Sequence, residues 1–357
     1  MMFAYVGSRT SRERRARGEG ISVFAVSADQ QKLELTQLVG GLANPSYLLL
    51  NRAGDRLYSV HGDLEYVSTF SVDKNTGHIT LLQQQDCQGK NPVHLALDPT
   101  ERFLIVSNHW TSALAVLPVN PDGTLDPVRQ IEILPGERGP HRVEQEFAKP
   151  HFNPFDPTGR FVVVPDKGLN RIFSFKFEHG RLIPTEQRSV LTRETAGPRH
   201  IAFHPTQAMA YVVNELDSTV TAYQFDKVNG ALHPLQVLSA LPDTYTADSR
   251  ASAIFVHPNG RWLFSSNRGD DSIAVFKIDP NNGRINFVKT QSSGGKTPRF
   301  CTLSPNQKVM WMLNEETDTM VPVALDPDHQ SDPLLSAGLA VACASPVCMI
   351  FSQTNTP

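Results

Sequence analysis

Short segments in which apolar and polar residues alternate follow one another along the chain, with turn residues between them. The segments are rich in Val, Ile, Phe and Tyr, and turn pairs such as Asn259-Gly260 and Asn282-Gly283 separate them. Alternation with a period of two residues is typical of β-strands, and the spacing of amphipathic helices does not recur. The pattern therefore predicts an all-β protein whose strands are joined by tight turns.

A composite unit of this pattern recurs at roughly 50 residues, a spacing typical of propeller blades and solenoids. Its clearest copy begins at Gly197-Pro198-Arg199-His200, continues through an apolar run that ends at Asn214-Glu215, and closes at Asn229-Gly230. About six complete units begin at Pro45, Pro92, Pro150, Pro198, residues 250–252 and Pro298. Each unit has the segments of a four-stranded meander, which is one blade of a β-propeller.

Incomplete units at the two ends of the chain complement each other. Residues 345–351 resemble the first strand of a unit, and residues 3–7, 21–26 and 32–38 resemble the second, third and fourth strands. Pairing them closes a ring and leaves no open strand edge, whereas an open β array or a pair of β domains gives the two fragments no role. We predict a single domain over residues 1–357, a seven-bladed β-propeller whose last blade is closed by strands from both termini.

This architecture predicts where polar residues gather. The first strand of each blade lies innermost, and the start of strand one lies beside the end of strand two. The start of strand one is occupied by Ser46, Val93, His151, Arg199, Ser252, Arg299 and Val347. The end of strand two is occupied by His109, Lys167, Glu215, Arg268 and Glu315. We therefore expect Arg199 to face Glu215, His151 to face Lys167, Arg299 to face Glu315 and Arg268 to lie opposite Ser252, all at one mouth of the central channel.

The residue types at these equivalent positions vary from apolar to basic and acidic, which favours a specialised site over a purely structural repeat. A structural interpretation also remains for each residue. Arg199 and Glu215 can form a structural ion pair, His151 can be a turn histidine, and the other charged residues can be solvated rim charges. By contrast, His204 and His257 lie in repeated turns and are interpreted as scaffold.

The amino-acid composition limits the classes of molecule that the protein is expected to bind. The 33 Lys and Arg residues against 36 Asp and Glu give no basic footprint for a nucleic acid, so a small molecule is favoured. No apolar stretch approaches the roughly 20 residues of a membrane span, and residues 1–7 lack the features of a signal peptide, so we expect a cytoplasmic protein. The scattered Cys87, Cys301, Cys343 and Cys348 are expected to be buried free thiols. A monomer or a weak homo-oligomer is expected.

Three motifs extend this interpretation. Gly-Pro-Arg-His at 197–200, Val-Val-Asn-Glu-Leu at 212–216 and Ser-Ser-Asn-Arg-Gly at 265–269 resemble those of the propeller lactonase family, which includes bacterial 6-phosphogluconolactonase and fungal 3-carboxy-cis,cis-muconate lactonizing enzyme. The resemblance runs nearly end to end. It departs from the family at Ala253, where relatives often carry an acid, and at the Arg-rich insertion Thr10 to Glu19, which is longer than expected and is interpreted as a solvated loop.

The resemblance implies a site without metal or cofactor, in which Glu215, His151, Arg199 and Arg268 are catalytic. Arg299, Lys167, His109, Asn214, Asn267 and His200 are expected to bind substrate. The predicted reaction is hydrolysis of a sugar lactone, 6-phospho-D-glucono-1,5-lactone, in which Glu215 or His151 deprotonates water and the arginines stabilise the oxyanion.

Three other functions remain open from the sequence. The first is a muconate-type cycloisomerase that uses the same residues, and the second is a propeller that binds a partner without catalysis. The third is a calcium-dependent lactonase with Glu215 and Asn214 or Asn267 as ligands, which no acidic cluster in the sequence supports.

Overall fold

A computed structural model describes residues 1–352 and shows seven antiparallel sheets that follow one another around a ring. The predicted all-β, seven-bladed architecture is confirmed. In the described residues the helical structure is limited to a 3₁₀ turn at Arg12–Arg14, inside the Arg-rich insertion. Within residues 1–352 we find no helix with both the length and the apolar character needed to cross a bilayer.

The amino-terminal strands and the first three blades follow in chain order. The first strands are β1 (Met2–Ser8), β2 (Gly20–Val26) and β3 (Leu33–Gly40). Blade one consists of β4 (Pro45–Leu50), β5 (Arg56–His61), β6 (Tyr66–Val72) and β7 (Ile79–Asp86). Blade two consists of β8 (Pro92–Leu97), β9 (Phe103–Asn108), β10 (Ala113–Pro118) and β11 (Gln130–Ile133). Blade three has β12 (Phe161–Asp166), β13 (Arg171–Glu178) and β14 (Arg181–Leu191).

The remaining blades complete the ring. Blade four consists of β15 (Pro198–Phe203), β16 (Met209–Asn214), β17 (Thr219–Phe225) and β18 (Leu232–Ser239). Blade five consists of β19 (Arg250–Val256), β20 (Trp262–Arg268), β21 (Ser272–Ile278) and β22 (Ile285–Ser292). Blade six has β23 (Pro298–Leu303), β24 (Val309–Asn314), β25 (Thr319–Leu325) and two short outer strands, β26 (Leu334–Ala337) and β27 (Val341–Ala342). The last strand is β28 (Pro346–Phe351).

Blade seven joins the two ends of the chain. Its strand order is β28-β1-β2-β3, with Tyr5 opposite Ile350 and Val6 opposite Met349. The carboxy-terminal strand thus supplies the innermost strand, and the amino-terminal strands supply the other three. The predicted closure by both termini is confirmed.

Blade three departs from the repeat at its inner edge. Instead of a regular first strand, the segment before β12 makes isolated bridges from Pro150 to Asp166 and from Phe155 to Val162. Pro150 and Pro154 have no N–H to give to a ladder, which disfavours a continuous strand. The Asn153 side chain instead binds the neighbouring blade, where it accepts a hydrogen bond from Ser107 Oγ at 2.7 Å. His151 therefore lies on irregular backbone.

The hydrophobic core is divided among the contacts between adjacent blades. One cluster packs Tyr211 and Val213 of blade four against Leu263 and Phe276 of blade five, all of them completely buried. Alternating residues of each sheet face its two neighbours, so both faces of every blade are covered. The four cysteines are buried and unpaired in the described part of the chain.

Glutamine side chains fasten the outer strands of neighbouring blades. At each of five junctions, one glutamine amide accepts from the backbone N–H and donates to the backbone carbonyl of a single residue in the next blade, at 2.7 to 3.3 Å. These glutamine clamps are Gln37 with Ile79, Gln83 with Leu125, Gln130 with Leu182, Gln187 with Leu232 and Gln236 with Ile285. Between blades five and six an ion pair, Lys289 with Asp332 at 2.5 Å, occupies the corresponding region.

Candidate active site

One backbone hydrogen bond recurs at the inner end of the blades and positions the functional side chains. The N–H of the residue after strand two donates to the carbonyl of the residue before the proline of strand one: Glu215 to Gly197 at 2.8 Å, Glu315 to Thr297 at 3.0 Å, and His109 to Asn91 at 3.0 Å. Gly197 has a φ of +63°, a left-handed conformation that glycine adopts without strain. The repeat therefore delivers a variable side chain to the same mouth from each blade.

A cavity of about 200 Å³ occupies this mouth of the channel. Seven of the predicted residues line it: His109, His151, Lys167, Arg199, His200, Glu215 and Arg299. They come from blades two, three, four and six, so the expected gathering of distant residues is what the structure shows. Their roles remain predictions.

Glu215 lies at the centre of a cluster of cations. Its Oε2 is 3.1 Å from Arg199 Nε, and its Oε1 is 3.3 Å from Lys167 Nζ and 3.4 Å from Arg268 Nη2. Glu215, Arg199 and Lys167 are all buried. The Lys167 amine also binds Glu144 Oε2 at 2.9 Å. Because four cations, Lys167, Arg199, Arg268 and Arg250, share the two carboxylates Glu215 and Glu144, the cluster keeps positive charge beside the cavity.

The electrostatic setting of Glu215 keeps its carboxylate ionised. Burial opposes ionisation, but the charges of Lys167, Arg268 and Arg199 outweigh it and hold the Glu215 pKa well below its usual range. A carboxylate stabilised in this way is a weak base. Its arrangement is suited to orienting the three cations.

His151 lies beside this cluster but is uncharged and, in the described part of the chain, has a free ring nitrogen. Its Nδ1 is buried and has no hydrogen-bond partner within residues 1–352. Burial, followed by the charge of Arg199, holds the His151 pKa well below its usual value, so the ring is neutral at pH 7. A neutral imidazole has a lone pair that can accept a proton.

Two further histidines flank His151. The His109 ring centroid lies 5.1 Å from that of His151, and the His200 centroid lies 5.3 Å from it. His200 Nε2 accepts a hydrogen bond from Arg199 Nη1 at 2.9 Å, and its ring stacks on Phe152 at 4.3 Å. Burial, helped by Lys167, lowers the His109 pKa to about 3. The imidazole rings on both sides of His151 are therefore uncharged.

A second ion cluster lies across the mouth. Glu315 Oε1 is 3.2 Å from Arg9 Nη1, and Glu315 Oε2 is 3.6 Å from Arg299 Nη1. The expected pairing of Arg299 with Glu315 is confirmed, as is that of Arg199 with Glu215. Sequence reasoning did not anticipate Arg9.

Two predicted substrate-binding residues lie elsewhere. The Asn214 amide donates to Thr219 Oγ1 and Thr221 Oγ1 of its own blade, at 2.9 and 3.0 Å. The Asn267 amide donates to the carbonyl of Ala240 at 2.7 Å. Neither lines the cavity, so its geometry does not support their predicted role in substrate binding. Adjacent strand residues point to opposite faces, so the neighbours of Glu215 and Arg268 face away from the mouth.

The register of blade five also corrects a prediction. Arg268 pairs with Arg250 rather than lying opposite Ser252, because a bulge between Ala251 and Ile254 shifts the ladder. Arg268 Nη2 donates to the carbonyl of Ala251 at 3.0 Å. This contact, with the one to Glu215, places Arg268 at the edge of the cluster.

The Arg-rich insertion, Thr10 to Glu19, is only partly the solvated loop that the sequence suggested: Arg12, Arg15 and Arg17 are exposed. Arg14 lines the cavity, as does Arg9 just before the insertion, and Arg14 forms a two-bonded ion pair with Asp63 of blade one. The pattern gave no signal for this placement, since an insertion has no equivalent in the other repeats. Glu144, from the long connection between blades two and three, was missed for the same reason.

The residues at the mouth do not have the arrangement of a metal site. In the described residues, no group of three or more His, Cys, Asp and Glu side chains is arranged to hold one. The two carboxylates of the mouth, Glu215 and Glu315, are each occupied by cationic side chains. The donor set at these positions therefore does not resemble a calcium site, which needs several free oxygens.

Comparison with known families identifies the family of this chain. The sequence model of the family described as "Lactonase, 7-bladed beta-propeller" matches residues 3–351. The chain belongs to this family. The resemblance carried by the three motifs is thus confirmed.

Individual relatives of this propeller lactonase are similar over their whole length. It is 34% identical over 350 residues to 6-phosphogluconolactonase of Bacillus subtilis, covering 97% of both chains. It is 29% identical to 6-phosphogluconolactonase of Formosa agariphila, covering 89% of this chain and 90% of the relative. The solved structure of the periplasmic gluconolactonase of Pseudomonas aeruginosa aligns with a TM-score of 0.89 at 26% identity, covering 99% of each chain.

Proposed function

We propose that this chain hydrolyses a sugar lactone and that its substrate is 6-phospho-D-glucono-1,5-lactone. The observation that carries the proposal is the cavity in which His151 lies beside Arg199, Lys167 and Glu215. Relatives named 6-phosphogluconolactonase support the choice of substrate. A phosphorylated sugar substrate also fits a cytoplasmic enzyme of carbohydrate metabolism.

In the proposed reaction His151 is the general base. Water attacks the lactone carbonyl carbon while an imidazole nitrogen of His151 takes its proton. The tetrahedral oxyanion collapses, the bond from the carbonyl carbon to the ring oxygen breaks, and the proton passes from His151 to that oxygen. The product is the open hydroxy acid, and no co-reactant besides water is consumed.

Glu215 has a positioning role in this scheme. Both of its carboxylate oxygens are engaged by cations, and these contacts at 3.1 to 3.4 Å hold Arg199, Lys167 and Arg268 around one point, whereas His151 Nδ1 has no partner in the described residues. Fixed cations in a water-poor site stabilise a developing oxyanion more than mobile ones do. Arg199 is itself held by His200 and by the carbonyl of Ser252 at 2.9 Å, so its donor group is already oriented.

The test is a direct measurement of ring opening. Purified protein is mixed with freshly made 6-phospho-D-glucono-1,5-lactone, and acid release is followed against the spontaneous rate in the same buffer. We expect hydrolysis well above the spontaneous rate. A rate equal to the spontaneous one would remove the proposal, and turnover of 3-carboxymuconate in its place would assign the chain to the cycloisomerase branch.

A further inference from the structure

The Arg-rich insertion is built into the mouth of the channel. We call residues 9–19, which are the insertion and Arg9 before it, the mouth loop. The Asn44 side chain, which is buried, accepts hydrogen bonds from the Thr10 and Ser11 N–H groups at 2.8 and 3.1 Å. On the other side, the Arg17 N–H donates to Ser345 Oγ at 3.0 Å, and the Arg17 guanidinium binds Asp318 Oδ2 at 2.5 Å. The loop is therefore fixed between blades six, seven and one.

This fixed loop brings two arginines to the cavity. Arg9 and Arg14 both line it, on the side where Arg299 enters from blade six. The side chains of Arg9 and Arg299 are 15% and 18% exposed, so both are largely enclosed and still reachable from the cavity. Arg14 is restrained by Asp63, whose Oδ2 also accepts from the Asn44 amide at 2.9 Å. Arg9 and Arg299 are held by Glu315, and Arg14 is held by Asp63, so two carboxylates fix three guanidinium groups around one opening.

The charges of the mouth do not balance. Glu315 is shared by two arginines, Arg9 and Arg299, and Glu215 is shared by three cations. Arg14 has Asp63 as its own partner. Glu144 also pairs with Lys167 and with Arg250, so the cations still outnumber the carboxylates in both clusters. A ligand with two separated electron-rich ends matches this arrangement better than a neutral one.

We propose that Arg9 and Arg14 of the mouth loop, together with Arg299, form an anion subsite for the phosphate group of a phosphorylated sugar lactone. This rests on the proposed function, because it assigns the two ends of the same substrate to two clusters. The lactone carbonyl lies at His151 and Arg199, and the phosphate lies at Arg9 and Arg299. Guanidinium groups suit phosphate because they donate two parallel hydrogen bonds to its oxygens.

The subsite makes the mouth loop a determinant of specificity. A phosphate monoester carries a charge of about −1.5 to −2 at pH 7, and it can complete the pairing that Glu315 leaves unfinished. An unphosphorylated lactone cannot do so, and it keeps only the contacts at the Glu215 cluster. The loop is therefore expected to act on substrate binding and not on the chemical step.

The experiment compares charge-removing variants on two substrates that differ only in the phosphate. Arg9→Gln and Arg14→Gln are assayed with D-glucono-1,5-lactone and with its 6-phosphate. The matched control is Arg12→Gln, which removes an equal charge from an exposed position of the same loop. For the phosphorylated substrate we expect KM to rise about 10- to 100-fold in Arg9→Gln and less in Arg14→Gln, with kcat nearly unchanged. The unphosphorylated substrate and the Arg12→Gln control are expected to stay within about twofold.

Binding of the product provides a second readout that does not depend on turnover. Calorimetric titration is done with 6-phosphogluconate and with gluconate, on the wild type and on Arg9→Gln. Tighter binding of 6-phosphogluconate that is lost in Arg9→Gln supports the subsite even if the protein opens no lactone, in which case only the proposed function fails. Equal affinity for the two acids, or KM changes of the same size for both lactones, would overturn the subsite while leaving lactone hydrolysis intact.

Discussion

The outer rim of the propeller and the mouth of its channel are built by opposite rules. At the rim, five blade junctions carry the same glutamine clamp with the same two hydrogen bonds. At the mouth, equivalent positions after strand two carry His109, Lys167, Glu215 and Glu315. The repeated backbone sets the position of each side chain. The residue type at that position differs from blade to blade and sets the chemistry of the mouth.

The mouth is also where the repeat itself is broken. Blade three lacks a regular inner strand at His151, and blade five has a bulge beside Arg268. Irregular backbone in strands commonly re-aims side chains next to sites. The register shift of blade four between Pro198 and His200, by contrast, recurs in blades one, two and six and belongs to the repeat. The two departures from the repeat thus lie beside His151 and Arg268.

The largest expected effect is a loss of stability in acid, caused by buried histidines near the channel. Burial lowers the pKa of His94 and of His109, each to about 3, while the unfolded chain titrates near its ordinary value. The unfolded state then binds more protons below pH 6.5, so stability that is complete above that pH is lost as the pH falls. The two groups give roughly 3 kcal/mol per pH unit. Denaturant unfolding between pH 7 and pH 4.5 measures this, and a flat profile would contradict it.

Removal of the central carboxylate, Glu215, should have the next largest effect, which is on the rate of hydrolysis. In Glu215→Gln the cations Lys167, Arg199 and Arg268 lose their shared partner, and we expect kcat/KM to fall by about 10³-fold. Glu316→Gln is the matched control, because Glu316 is exposed and adjacent to the second cluster. Lactone hydrolysis by the two variants measures the difference. Equal activity in both would show that the Glu215 cluster is structural.

Loss of the proposed base should have a somewhat smaller effect. His151→Asn keeps a polar side chain but removes the proton acceptor, so kcat is expected to fall by about 10²-fold. The control is His233→Asn, which changes an exposed histidine of the outer strand of blade four. The diagnostic measurement is the pH dependence of kcat. An acid limb that survives in His151→Asn would assign the base to another group.

Removal of one glutamine clamp at the rim should lower stability without changing activity at the mouth. Gln236→Ala removes both hydrogen bonds to Ile285 and should lower the free energy of unfolding by about 1 to 3 kcal/mol, with kcat unchanged. Gln236→Glu keeps the acceptor for the Ile285 N–H and loses the donor, so an intermediate loss is expected. Thermal unfolding and lactone hydrolysis are measured on the same samples. A fall in kcat at full folding would mean that rim and mouth are coupled.

Much of the fold and of the candidate site could be predicted from the sequence because both follow from the repeated unit. Turn spacing gave the seven blades and the complementary ends, and alignment of the prolines brought His151, Arg199 and Glu215 to one mouth. The glutamine clamps were visible as a recurrence at Gln37, Gln83, Gln130, Gln187 and Gln236, but a polar residue on an outer strand gives no sign of a partner in the next blade.

The remainder depended on features that a repeat does not encode. Asn214 and Asn267 do not reach the cavity because each precedes a residue of the mouth, Glu215 or Arg268, and so points to the opposite face of its strand. Arg9, Arg14 and Glu144 come from segments outside the repeating strands, so their contacts depend on the tertiary fold. Bulges moved the predicted position of Arg268 for the same reason.

Ring closure by β28 sets the order in which the site can be completed during synthesis. Ser345, immediately before this last strand, accepts the N–H groups of Arg9 and Arg17 and so holds the mouth loop. A chain that still lacks residues 345–351 contains every arginine of the site, and Glu315 can still pair with Arg9, but the hydrogen bonds from Arg9 and Arg17 to Ser345 cannot form. The mouth loop is therefore fully fastened only when the last strand closes the ring.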